Sequence, residues 1–144
     1  MLGTEPDIVT MAKQIGNGFP LAAVATTKEI ASALGSKLTF STYGANPIAM
    51  AAGREALKVV DDENLQQNCL ELGNLFMKGL KELQQKYDQI GDVRGHGLMI
   101  GMELVKDKES NEPNPDFFAK VYEKTKDYGL LVGKGGRFGT TFRI

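Results

Sequence analysis

The sequence contains no tryptophan, one cysteine and one histidine in 144 residues. Cys69 alone cannot close a disulfide within the chain, and no Asn-x-Ser/Thr acceptor occurs, so nothing points to an oxidising compartment and a reducing one is the default expectation. With only His96 and Cys69 as strong ligand types, a zinc site would need carboxylates that no spacing groups together, so no metal is expected. Charge of one sign is lacking too: 17 Lys and Arg against 18 Asp and Glu leave a net charge of -1. Such a chain has no long-range field to steer nucleic acid or an anionic membrane surface, and neither is expected as a partner. No apolar run approaches the roughly 20 residues that span a bilayer. Nucleotide signatures are missing as well. Gly133 to Gly139 fails the dinucleotide pattern by one position, and no Gly-x-x-x-x-Gly-Lys-Ser/Thr run exists.

What the sequence does have is glycine, 17 residues or about 12% of the chain, against roughly 7% in average proteins. The glycines gather at 16–18, 91–101 and 129–139, where loops are expected to carry chemistry. The length suits about one domain, and 42% apolar with 24% charged residues is ordinary globular usage. Both ends run in β-favouring residues, Ile8 to Met11 and Thr140 to Ile144, which suggests a piece of a longer protein.

Ile8 to Met11 and Leu21 to Ala25 read as two short buried strands, joined by a loop from Lys13 to Pro20. Thr26 with Glu29 fits a capping box, so a helix to about Leu34 follows. Lys37 to Ala45 reads as strand and loop. Asn46-Pro47 opens a second helix to about Val60, because Asn caps free amides and Pro loses nothing at the first helical position. Asp61 or Asp62 should cap a third, whose apolar stripe is Leu65, Cys69, Leu72, Phe76, Leu80, Leu83 and Tyr87. In that stripe Cys69 reads as core.

Val93 to Val105 turns β-like around glycines, with His96 in a loop, and Lys106 to Pro115 is a surface loop. A fourth helix starts at Asp116 with Phe117, Val121 and Tyr128 on one face, and Gly129 stops it. Leu130 to Val132 should resume as strand before a glycine loop and a closing strand. The pattern is α/β first and α+β later, with a seam between Tyr87 and Gly91.

Lys13 stands just off a strand end. Flanked by Met11, Ile15 and Phe19, it is a candidate for partial desolvation and Schiff-base chemistry, although a plain surface lysine is the commoner case. Ser41 and Thr42, ahead of the helix start, could direct hydroxyls and amides at a phosphate. Arg143 could clamp a carboxylate bidentately.

The segment Pro6-Asp7-Ile8-Val9-Thr10-Met11-Ala12-Lys13-Gln14-Ile15-Gly16-Asn17-Gly18-Phe19-Pro20 resembles the lysine segment of the class-III, pyridoxal-phosphate-dependent aminotransferases of fold type I. The resemblance continues through Ser41 to Pro47, Gly91 to Gly101 and Gly129 to Gly133, and on to Thr141-Phe142-Arg143-Ile144. It implies that residues 1–88 form the later part of the large, cofactor-binding domain with its linking helix, and that 89–144 form part of the α+β small domain.

By the same resemblance Lys13 holds pyridoxal 5'-phosphate through a Schiff base, and Thr42, with Ser41 beside it, reaches the phosphate of the cofactor in the neighbouring subunit. That implies a homodimer or homotetramer. Arg143 then clamps the substrate's α-carboxylate. The implied reaction is transamination between an amino acid and a 2-oxo acid. The wording favours alanine and glyoxylate in the mitochondrion, with the ornithine and 4-aminobutyrate enzymes and related lyases as alternatives. A reading of another class is an inactive chain that binds complete subunits.

The sequence departs from the family where Ala45 replaces a second glycine before Asn-Pro. The family's aspartate for the ring nitrogen, its phosphate loop and its stacking aromatic precede the segment matched here. With no following helix, Arg143 is expected on an unsupported edge strand.

Overall fold

The computed structural model describes Gly3 and residues 5–144, which divide into two compact units, Met1–Leu65 and Gln66–Ile144. In the first unit β1 (Ile8–Ala12) pairs antiparallel with β2 (Ala22–Thr26), from Ile8 opposite Thr26 to Ala12 opposite Ala22. The Thr26 hydroxyl donates to the Asp7 carbonyl at 2.8 Å and closes the open end of the ribbon. Both strands lie where the apolar runs put them, but they are not buried: every residue of β1 is exposed. A two-stranded ribbon has no further strand beside it, so sequence hydrophobicity alone does not cover its faces.

A short 3₁₀ turn, Lys13–Gly16, joins the strands, and Asn17 reverses the chain in the left-handed conformation. The first helix, α1 (Lys28–Gly35), is capped by Thr27, whose hydroxyl accepts from the Ile30 amide at 3.4 Å. The capping box expected at Thr26 does not form, because that hydroxyl is committed to the sheet. Nor is there a strand between Lys37 and Ala45. Leu38 and Phe40 stand 102% and 89% exposed, β-favouring residues without a neighbouring strand to pair.

Helix α2 (Pro47–Asp62) starts as its residues dictate: Asn46 Oδ1 accepts from the amides of Ile48 at 3.0 Å and Ala49 at 3.2 Å. Asp61 and Asp62 fall inside it and cap nothing. The break before α3 (Leu65–Lys86) comes instead at Asn64, at φ +50°.

In the second unit α3 buries Leu80 and Gly73, while Leu72, Phe76, Leu83 and Tyr87 of the expected stripe stay 40–45% exposed. Strands β3 (Ile90–His96) and β4 (Met99–Leu104) form a hairpin turning at Gly97, φ +55°. Helix α4 (Pro115–Asp127) is capped by Asn114, which accepts from the Phe117 amide at 3.1 Å, and Gly129 follows it at φ +75°. Its buried anchor is Phe118, 1% exposed, with Phe117, Val121 and Tyr122 beside it. Tyr128, expected on that face, is 81% exposed.

Leu130 to Val132 is not strand. The pairing begins three residues later than expected, with β5 (Gly133–Gly135), and β6 (Thr141–Arg143) follows. The antiparallel sheet has the order β3-β4-β6-β5, so β6 is an inner strand. Arg143 is therefore not on an unsupported edge: three residues of a glycine loop shield its strand. One face of the sheet carries the core of Ile90, Val93, Ile100, Leu104 and Phe142 against Leu80 and Phe118, with the Phe118 and Phe142 ring centroids 4.6 Å apart.

Candidate active site

Lys13 follows β1 without a spacer and sits at φ +58°. That left-handed backbone costs an L residue about 1–2 kcal/mol, and such strain persists where the surroundings impose it, commonly at functional sites. The turn that follows Lys13 packs through two glycines and a leucine. A β-carbon on Gly16 would lie 3.0 Å from Leu21 Cβ, and one on buried Gly53 of α2 would overlap the Leu21 Cδ2 methyl. Leu21 thus seats the turn on α2.

The side chain of Lys13 is exposed, and among the described residues its amine has no ion pair or hydrogen bond. The expected desolvation is absent: Met11 and Phe19 are themselves 36% and 40% exposed. With Asn17, Phe19 and Pro20, Lys13 lines an open groove of about 400 Å³.

Ser41 and Thr42 lead into α2 through a turn closed by the Gly44 amide donating to the Ser41 carbonyl at 3.1 Å. Ala45, at φ +55°, adopts the conformation a glycine would take freely. Neither hydroxyl has a partner among the described residues. At the start of α2 the amides of Ile48 and Ala49 are taken by Asn46. An anion at this turn would therefore meet hydroxyls.

Arg143 belongs to the second unit, on the sheet face opposite the core. Register places Arg94, Gly101, Arg143 and Gly133 in one row across the four strands, and Asp92, Glu103, Thr141 and Gly135 in the next. Arg94 holds both carboxylates of this face, Asp92 and, at 3.1 Å, Glu103. The hydrogen bonds it donates, to Asp92 first and Glu103 second, push the Arg94 guanidinium further up from its ordinary value. Among the described residues Arg143 has no acidic partner. His96, expected in a loop, is the last residue of β3 and shares a small groove with half-buried Cys69. No group of three or more potential ligands that could hold a metal occurs among the described residues.

An unpaired primary amine and two free hydroxyls suit an aldehyde that carries a phosphate, and an unpaired guanidinium suits a carboxylate. The residues of the first unit therefore fit pyridoxal phosphate. Sequence reasoning missed the left-handed backbone of Lys13 and Ala45. It also missed the glycines that face Arg143, although the alternation Gly133-Lys134-Gly135 is the signal that could have revealed them.

The chain is 51% identical over 141 residues to human mitochondrial alanine–glyoxylate aminotransferase 2, covering 96% of this chain and 27% of that protein. Among solved structures, an Arthrobacter phospholyase in complex with phosphoethanolamine superposes with a TM-score of 0.92 at 32% identity, over 99% of this chain and 34% of that one. A Pseudomonas amine transaminase in its PLP-bound form gives 0.84 at 31% identity, over 96% and 33%. The chain thus spans about a quarter to a third of the proteins it matches, which share the fold-type-I architecture of pyridoxal-phosphate enzymes. The family model for aminotransferase class-III matches residues 1–144, and the chain belongs to that family.

Proposed function

We propose that the chain is the lysine-bearing part of a pyridoxal-phosphate-dependent subunit that moves an amino group from an amino acid to a 2-oxo acid. The observation that carries this reading is Lys13, an amine with no partner among the described residues, on a strained turn at a strand end within the segment matched to the family. Alanine as donor and glyoxylate as acceptor, and a mitochondrial setting, are the finer reading that the similarity to the human enzyme supports.

Pyridoxal phosphate, when bound, supplies the electron sink that makes the substrate Cα–H acidic. Lys13 would hold the cofactor and, once displaced by the substrate, its Nζ would take the proton from Cα and deliver it to the cofactor's C4′, a role worth about 10²–10⁴ in rate. Thr42, with Ser41, donates hydroxyl hydrogen bonds to the phosphate. Thr42 acts across a subunit boundary, so the active assembly is a homodimer or homotetramer. Arg143 binds the α-carboxylate. Residues 1–88 belong to the large domain of such a subunit and 89–144 to its small domain.

Replacing Lys13 with Ala in the complete subunit is expected to abolish transamination while the protein stays folded. Turnover near the parent level would overturn the proposal.

A further inference from the structure

The chemistry assigned to Arg143 needs its guanidinium free and held at one height above the sheet. No hydrogen bond or ion pair among the described residues does the holding. The strand beside it does. A β-carbon on Gly133 would lie 3.3 Å from Arg143 Cβ and 3.6 Å from its Nε, and one on Gly135 would lie 3.3 Å from Cδ and 3.9 Å from Cγ. Gly133 and Gly135 are two apart on β5 and so project to one face. Between them stands Lys134, which points to the core side with its Nζ 5.5 Å from the centre of the Phe118 ring. The methylene stem of Arg143 thus lies along a strip of β5 that has no side chains.

On the other flank its registered neighbour is again a glycine, Gly101. The two carboxylates that could draw the guanidinium sideways, Asp92 and Glu103, are held by Arg94. With glycine on both flanks and no hydrogen-bond or ion-pair partner among the described residues, the head group of Arg143 is uncommitted.

We propose that Gly133 and Gly135 are positioning residues for substrate binding: the bare face of β5 is the bed that sets where Arg143 presents its guanidinium to an α-carboxylate. This rests on the carboxylate-binding role proposed for Arg143. Gly135 is the cleaner probe. Its backbone is not left-handed, and an added methyl would meet only the movable Cδ and Cγ of Arg143. At Gly133 a methyl would also press on the Arg143 carbonyl at 3.0 Å.

The test uses the complete holoenzyme and two readouts, KM for alanine and the inhibition constant of propionate as a bare carboxylate. Gly135→Ala is expected to raise both roughly tenfold, and Gly135→Val more, with kcat little changed, the pattern of lost ground-state binding. In an Arg143→Gln background, which itself weakens propionate, Gly135→Ala should add nothing. Unchanged propionate binding in Gly135→Ala, beside weakened binding in Arg143→Gln, overturns the positioning role and leaves the carboxylate role standing. Unchanged binding in Arg143→Gln overturns the carboxylate role itself. A fall in kcat without a rise in either constant, or failure of Gly135→Ala to fold, also overturns the inference, because either would show a structural glycine.

Discussion

Two glycines of one helix offer a test of how α3 is fixed to the sheet that carries Arg143. Gly73 and Gly79 both lie inside α3, where glycine costs about 1 kcal/mol relative to alanine. Their surroundings are opposite. A β-carbon on Gly79 would meet nothing within 4 Å, whereas one on Gly73 would sit 2.7 Å from Gly97 Cα and closer still to the Gly97 carbonyl. Gly97 is the turn of the β3–β4 hairpin at φ +55°, so the obstacle is backbone that cannot rotate aside.

Gly79→Ala should therefore raise stability by about 1 kcal/mol. Gly73→Ala gains the same propensity but forces helix and hairpin apart. With overpacking at about 1–3 kcal/mol, and the upper end apt for a backbone obstacle, it should lose roughly 2 kcal/mol net. Urea melts followed by circular dichroism would read the pair as a gap of about 3 kcal/mol in opposite directions. Two variants that move together, or a stabilised Gly73→Ala, would refute the close approach of α3 to the hairpin.

Ala45→Gly should stabilise the turn before α2 by about 1 kcal/mol, because it removes an L residue from φ +55°; a lowered melting temperature would show that the turn does not hold that backbone. Asp107 accepts the Ser110 amide at 2.7 Å, and that hydrogen bond holds its carboxyl below the ordinary aspartate value. A pKa lowered on folding gives stability that is present above the unfolded value and lost as pH falls through the folded one. The stability difference between the parent chain and Asp107→Ala should accordingly be constant near neutrality and vanish in acid; a difference that grows on acidification would contradict the assignment.

How much was legible follows from how local each signal is. Asn46-Pro47 and Gly129 were readable because a cap or a left-handed stop depends on a few adjacent residues. The capping box at Thr26 was misread for the opposite reason, since the competing acceptor, the Asp7 carbonyl, is 19 residues away. β5 was placed three residues early because Gly-Lys-Gly carries no strand propensity. It pairs only because β6 offers a partner, and that pairing turns the expected edge at Arg143 into an inner strand. The exposure of β1 was equally invisible, since apolar residues record that a surface should be covered and not what covers it.

The amine of Lys13, the hydroxyls of Ser41 and Thr42 and the guanidinium of Arg143 stand in the sequence itself. The left-handed backbone of Lys13, at φ +58°, was not legible, because nothing in a lysine's own chemistry favours that conformation.

The central claim is that Lys13 is the residue that bears the cofactor. The direct measurement is to load the complete subunit with pyridoxal phosphate, reduce it with borohydride, digest it and locate the labelled peptide by mass spectrometry. The account predicts a single phosphopyridoxyl group on Lys13, in stoichiometric yield and lost on addition of excess amino acid before reduction. Label spread over surface lysines, or concentrated on a lysine other than Lys13, would contradict it.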